Sequence, residues 1–349
     1  MAAQLLPQPR VPDPRDAPSL RWGVLAPGTI AGDFVDGLAR HTGQRVVAVG
    51  SRSADRAEAF ARPRGIDRAY GSYEQLVADP EVDVVYVAAP HTEHLRLALL
   101  AIAAGKHVLV EKPMAVTAAE ARILVDAARA AGVFAMEAMW TRYLPQTDVV
   151  RQLLADGTLG QVRVVTADFG GSTPFDPASR SYDPGLAGGA LLDLGVYPVS
   201  WAVFAMGIPS AVLATGELAP TGVDQQAALV LTTEHGAQAL LSTGLRSSTP
   251  SAATASGTEG RVEVDAPFWA PSGLRAFLPG QEAPLRWRDE SGIGGRDGMV
   301  YEAAALARYV SEARLESPLH PLDEVLATIA VLDEARRQLG YLDVGAGAR

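Results

Sequence analysis

The residues best suited to chemistry fall in two short stretches. In His107-Val108-Leu109-Val110-Glu111-Lys112-Pro113, an apolar run with β-branched residues reads as a strand buried on both faces, halted by a charged pair and a proline. Lys112 is thereby set at the carboxyl edge of a sheet, where open α/β sheets bind their ligands and an amine can meet both a nucleotide and a substrate. A lysine snorkelling at a strand end is the plainer alternative. The second stretch, Gly188-Gly189-Ala190-Leu191-Leu192-Asp193-Leu194-Gly195-Val196-Tyr197-Pro198, reads as helical and puts Asp193 and Tyr197 on one face. Gly195 and Pro198 cost a helix interior roughly 1 and 3 kcal/mol relative to alanine. Close approach to a ligand or to the sheet would account for the glycine, and a bent following turn for the proline. A packed Asp–Tyr hydrogen bond suits the same spacing.

Lys112 needs a sheet around it, and the pattern before it supplies one. Arg21–Leu25 reads as a first strand, and Ala26-Pro27-Gly28-Thr29-Ile30-Ala31 as the turn into a helix that runs to about Arg40. Ala26, Gly28 and Ala31 occupy the three small-residue positions of a dinucleotide fingerprint, with alanine where the first glycine usually stands. The free N–H groups of that helix start, at Gly28, Thr29 and Ile30, suit a phosphate. A bland tight turn shares the pattern. A second strand over Arg45–Gly50 leads to Ser51-Arg52-Ser53, where an NAD enzyme would tend to carry an acid for the ribose hydroxyls. Hydroxyls and a guanidinium suit a 2′-phosphate instead, which favours NADP(H) over NAD(H). The alternative has Ser53 capping a helix through Ala61 and Arg52 merely solvated.

Further βα units follow. A short strand near 69–70, a helix over 72–78 and a dense apolar strand over 82–88 lead to Pro90-His91-Thr92-Glu93-His94, a turn expected to line the nucleotide side with Thr92 as helix cap. Gly105 and Gly132 close helices, and 133–137 reads as a sixth strand. The sum is a doubly wound Rossmann domain over 20–140. Beyond it the pattern changes to helices at 144–155 and 188–206, strands at 160–169, 210–218, 225–233, 236–246, 252–258 and 260–265, a long loop over 270–298, and helices at 299–314 and 321–339. This describes an α+β domain over 141–349 with a largely antiparallel open sheet. One face of such a sheet needs covering, which predicts a homodimer or homotetramer.

Composition narrows the class. A length of 349 residues suits two domains. The net charge of −10 and the lack of a basic run argue against nucleic acid. With no cysteine and six scattered histidines, no metal site is expected, and His91 and His94 lack a carboxylate-rich partner segment. No signal-like or membrane-spanning run is evident, so a cytoplasmic protein without a membrane partner is expected. Residues 1–19, with five prolines, read as a flexible arm.

Taken together, Glu111-Lys112-Pro113 after a long βα string and the Gly188–Tyr197 segment resemble the Gfo/Idh/MocA oxidoreductases over nearly all of 20–340. Glu137-Ala138-Met139-Trp140-Thr141-Arg142-Tyr143-Leu144-Pro145, Gly257-Thr258-Glu259-Gly260 and Phe268-Trp269 resemble the subgroup of dimeric dihydrodiol dehydrogenase and NADP-dependent xylose dehydrogenase. The family's usual histidine, four residues after the aspartate, is Tyr197 here, a departure that points to the same subgroup.

The resemblance implies a nicotinamide lying between Lys112 and the Asp193–Tyr197 helix, and hydride transfer between NADP(H) and a carbinol or carbonyl carbon of a sugar or cyclic diol. Tyr197 is the expected acid/base, with a nearby cation needed because an unperturbed tyrosine titrates near pH 10. Lys112 would supply that charge or itself take the proton, and Asp193 would orient the lysine or the substrate. Pro90, His91, His94 and Glu111 join the turn residues as cofactor contacts. Trp140, Phe169 and Arg180 are candidate substrate contacts, each with a core or surface ion-pair alternative. A sugar–sugar oxidoreductase with tightly held cofactor and a non-catalytic nucleotide-sensing regulator are the competing readings.

Overall fold

The computed structural model describes residues 6–341. By its contacts the described chain divides into two compact units, one built from Val11–Tyr143 with Ile293–Val325, the other from Leu144–Gly292 with residues 6–10 and 326–341.

The first unit is a six-stranded parallel sheet of β1 (Arg21–Leu25), β2 (Arg45–Gly50), β3 (Arg68–Tyr70), β4 (Val84–Val87), β5 (His107–Glu111) and β6 (Ala135–Ala138), in the order β3-β2-β1-β4-β5-β6. Helices α1 (Thr29–His41), α2 (Ala54–Ala61), α3 (Tyr73–Val77), α4 (His94–Ala103) and α5 (Ala118–Ala131) make the crossovers. Residues Val84–Val87 and Val108–Val110 are fully buried, as continuous apolar runs in a parallel sheet must be. Ser53 caps α2, Thr117 caps α5, and Gly132 takes the left-handed conformation after α5. Thr92 is not a cap. It lies inside a 3-10 turn, His91–Glu93, that runs directly into α4, so Glu93 holds the cap position without a side-chain bond.

In the second unit, α6 (Pro145–Ala155) precedes a mixed, mostly antiparallel sheet of β7 (Val162–Gly170), β8 (Ala211–Leu218), β9 (Asp224–Thr232), β10 (Gln238–Gly244), β11 (Ala253–Gly257), β12 (Arg261–Val264), β13 (Gly273–Phe277) and β14 (Leu285–Arg288). The order is β14-β13-β12-β11-β7-β10-β9-β8, and β7 with β10 is the parallel pair. A loop is expected over 270–298, yet β13 and β14 extend the sheet there. Each is only four or five residues long, and pairing to a neighbour rather than local pattern makes them strands.

One face of this sheet packs on α7 (Val196–Met206), which a π-helical turn, Leu191–Gly195, precedes. The stretch Pro184–Met206 is apolar and long enough to cross a membrane by composition, but 78% of its most apolar window is buried in the unit's core. The other face carries a cross-strand row, Leu213↔Val230↔Leu240, with Leu213 66% and Leu240 52% exposed.

Residues 293–325 make their contacts with the first unit. Asp297 binds His41 at 3.0 Å, and α8 (Val300–Ser311) packs Ala304 and Ala307 against Ala17. Arg308 donates to the carbonyls of Asp13 and Asp16. The described part of the proline-rich segment thus has a 3-10 turn, Pro14–Asp16, and fixed partners. Helix α9 (Leu322–Gln338) follows.

Candidate active site

The carboxyl ends of β1, β2, β4 and β5 carry, in turn, Ala26, Ser51, the Pro90–His91 turn and Lys112. Strand order reverses at β1, where β2 lies on one side and β4 on the other, and this is the crevice at which open α/β sheets hold nucleotides. The first unit therefore gathers most of the expected cofactor residues along one edge.

Ala26 has φ +63°, a left-handed conformation that glycine would adopt more readily. The turn keeps the geometry of the fingerprint although its residue differs, and Ala26 N–H donates to Gly50 O at 3.0 Å. Gly28 precedes α1 with no side-chain cap, and a Cβ built there would meet nothing nearer than Ala26 O at 4.0 Å. An uncapped helix start facing open space, with the N–H groups of Thr29 and Ile30 in its first turn, fits a pyrophosphate. Ser51 is buried, Ser53 is engaged as a cap, and Arg52 is exposed with no ion pair among the described residues.

The backbone around Lys112 is held from three sides. Glu111 Oε1 accepts from the Tyr86 hydroxyl at 2.5 Å and its Oε2 from Lys112 N–H at 3.2 Å. The His94 ring spans Ala89 O, 2.9 Å from Nε2, and Pro113 O, 2.8 Å from Nδ1. Glu137 Oε1 accepts from Met114 N–H at 2.8 Å, and His320 Nε2 lies 2.9 Å from its Oε2. The Lys112–Pro113 peptide is cis. Burial lowers the His94 pKa, the two carbonyls oppose that, and Lys112 adds to the lowering. His94 has no exposed surface, and both of its ring nitrogens lie against main-chain carbonyls. His91, also expected at the nucleotide side, is buried beside it with ring centroids 5.7 Å apart.

Behind this edge lies a buried acidic group. Glu302, on α8, is fully enclosed and neither carboxyl oxygen has a hydrogen-bond partner among the described residues. Burial raises its pKa well above the ordinary value, and Glu111 and Glu137 raise it further. Arg142 is buried and paired with Glu324. Burial opposes ionisation of Glu324, but His320 and Arg142 outweigh it and hold its pKa down to about 2. Trp140 is 5% exposed and lies in the 3-10 turn that follows β6.

The other expected residues belong to the second unit. Asp193 Oδ1 accepts from Arg180 Nη2 at 2.9 Å, so these two residues form an ion pair. Tyr197 stands at the start of α7, 8% exposed, with its ring edge-on to Phe169 at 5.5 Å. Phe169 stacks in turn on Trp269 at 5.1 Å. Gly195 serves the sheet, since a Cβ there would lie 3.1 Å from Thr243 Cγ2 on β10. Pro198 stands three residues past the π turn, at the junction where the helix passes from π to α geometry and a proline cannot donate an N–H. Trp269 joins the aromatic group around Tyr197, and the Phe268-Trp269 pair was its signal in the sequence. Among the described residues, no group of His, Cys, Asp and Glu has the arrangement of a metal site.

The chain belongs to the Gfo/Idh/MocA oxidoreductase family. Residues 20–139 match its NAD-binding Rossmann fold and residues 147–263 its C-terminal domain. Among its relatives, the mouse (Mus musculus) trans-1,2-dihydrobenzene-1,2-diol dehydrogenase is 39% identical over 332 residues, covering 92% of this chain and 97% of the relative. The rabbit (Oryctolagus cuniculus) enzyme of the same name is 40% identical, covering 91% and 98%. Among solved structures, the aldose-aldose oxidoreductase of Caulobacter crescentus is similar at TM-score 0.82 and 26% identity, covering 92% and 97%. The 3-ketoreductase of Actinomadura kijaniata, solved with NADP and TDP-benzene, is similar at TM-score 0.78 and 26% identity, covering 92% and 98%.

Proposed function

We propose that the protein is an NADP-dependent dehydrogenase acting on a CH–OH group of a sugar or a cyclic trans-diol. The observation that carries this reading is Lys112, fixed at the carboxyl edge of a nucleotide-binding sheet by Glu111, His94 and Glu137. NADP, when bound, supplies the hydride acceptor. Tyr197 takes the proton of the substrate hydroxyl, and Lys112 steadies the oxygen as negative charge develops on it. Asp193, already paired with Arg180, orients the groups around that proton. Phe169 and Trp269 offer apolar faces for a ring substrate.

The preference for NADP rests on Arg52, exposed and without an ion pair among the described residues at the end of β2, where a guanidinium can grip a 2′-phosphate. The names of the mammalian relatives support a trans-dihydrodiol and those of the structural neighbours a sugar. Screening aldoses, keto-sugars and trans-diols with NADP(H), followed at the reduced-nicotinamide band, tests the reading. Turnover of none of these classes, neither oxidation with NADP nor reduction with NADPH, would refute it. The likeness to an aldose-aldose oxidoreductase favours one other reading, hydride passed between two sugars on a retained cofactor. Cofactor that survives desalting, with no net NADPH released, would distinguish it.

The reading describes a cytoplasmic homo-oligomer. Its supporting observation is the exposed row Leu213, Val230 and Leu240 on the sheet face turned away from α7, which a second copy would cover.

A further inference from the structure

Helix α7 and the π turn before it carry Asp193 and Tyr197, and the start of that turn is fixed from outside. Asp224, the first residue of β9, has no exposed surface. Its Oδ2 accepts from Leu191 N–H at 2.7 Å, and its Oδ1 accepts from the Tyr341 hydroxyl at 2.6 Å. A Cβ on Gly189 would lie 2.2 Å from the same Oδ1, and Gly189 has φ +116°. Only glycine lets the carboxylate come so close to the turn. A buried carboxylate therefore joins two distant parts of the chain: the first amide of the π turn and a tyrosine just beyond α9.

We propose that Asp224 and Tyr341 are positioning residues, a latch by which the segment after α9 sets the start of the Asp193–Tyr197 helix for turnover. The proposal rests on the reading of Tyr197 as the proton-transfer group. Burial pushes the Asp224 pKa up to about 6, against the lowering by Tyr341, the Leu191 amide and Arg336. At neutral pH it is charged, and both bonds are charge-assisted, the stronger kind. The other charged groups at hand lie on α9: Arg336, which acts on Asp224 and Tyr341, and Asp333, which acts on Tyr341 and pairs with Arg336.

The test is Tyr341→Phe in the full chain, which removes one hydroxyl and keeps the ring. Amide hydrogen exchange at Leu191–Gly195 should quicken by roughly tenfold, the size expected for losing a bond to a charged group, while exchange in β5 is unchanged. Turnover kcat should fall by about the same factor with the KM for NADP(H) held. Asp224→Asn, which keeps a neutral oxygen toward Leu191, should show the same pattern. Wild-type exchange in both variants, or faster exchange with unaltered kcat, would overturn the latch. A fully active Tyr197→Phe would sink the assignment of Tyr197 instead, and the exchange rates would still judge the latch by themselves.

Discussion

Glu137 accepts a hydrogen bond from the backbone N–H of Met114 at 2.8 Å, two residues past Lys112, while its other oxygen lies 2.9 Å from His320 Nε2. The carboxylate is buried and the ring opposite it fully enclosed. A strand-end lysine is thus braced through its neighbours' main chain. Replacing Glu137 by alanine leaves the Met114 N–H and His320 without their acceptor, which should cost about 3 kcal/mol or more of stability. Glu137→Gln keeps an oxygen acceptor and should cost less. Denaturant melts of the two variants check the order, and kcat should follow it with cofactor affinity retained.

Glu302 gives a stability prediction with a defined sign. Its folded pKa is raised by burial, then by Glu111 and Glu137, so the neutral form is favoured in the fold. The associated stability is fully present below the unfolded carboxyl value and is lost as pH rises through the raised one. Glu302→Gln removes the titration. Its advantage in melting temperature over the wild type should grow steadily as pH rises above the ordinary carboxyl range. A difference that stays constant as pH rises would mean that the folded carboxyl is no harder to ionise than the unfolded one.

Arg52 should set cofactor choice. Arg52→Ala removes a charge-assisted contact and should weaken NADPH binding by roughly tenfold or more, with NADH nearly unaffected. Fluorescence titration of both cofactors decides it. Equal losses would place the preference elsewhere.

The exposed row on the sheet face predicts assembly. Leu213→Glu with Leu240→Glu puts two carboxylates in one cross-strand row, on either side of Val230, on a face proposed to be covered, and should shift the protein to monomer in sedimentation velocity. An unchanged mass would remove that face from the interface.

How far these features were legible in the sequence follows from the range of the forces involved. The parallel strands, Lys112 at the end of β5 and the cap at Ser53 depend on residues a few positions apart, so apolar density and cap chemistry reveal them. The fingerprint turn was legible through its spacing although Ala26 replaces glycine, because backbone φ, not the side chain, makes the turn. Strands β13 and β14 were not, since short runs in a glycine- and proline-rich segment become strands only by pairing. Glu137 and His320 meet across 183 residues, and Asp224 and Tyr341 across 117. No local pattern announces such pairs, so the bracing of Lys112 and the latch on the π turn had to be seen in space.

The most direct test of the account is single-turnover hydride transfer in Lys112→Ala, Tyr197→Phe and the double variant, each with cofactor affinity measured alongside. Each single change should slow transfer by about a hundredfold or more, with NADP(H) still bound. The double variant should be little slower than the worse single one, because residues that serve one proton transfer are not additive. Near wild-type transfer in Lys112→Ala, or fully multiplicative losses in the double variant, would contradict a shared role for the two residues.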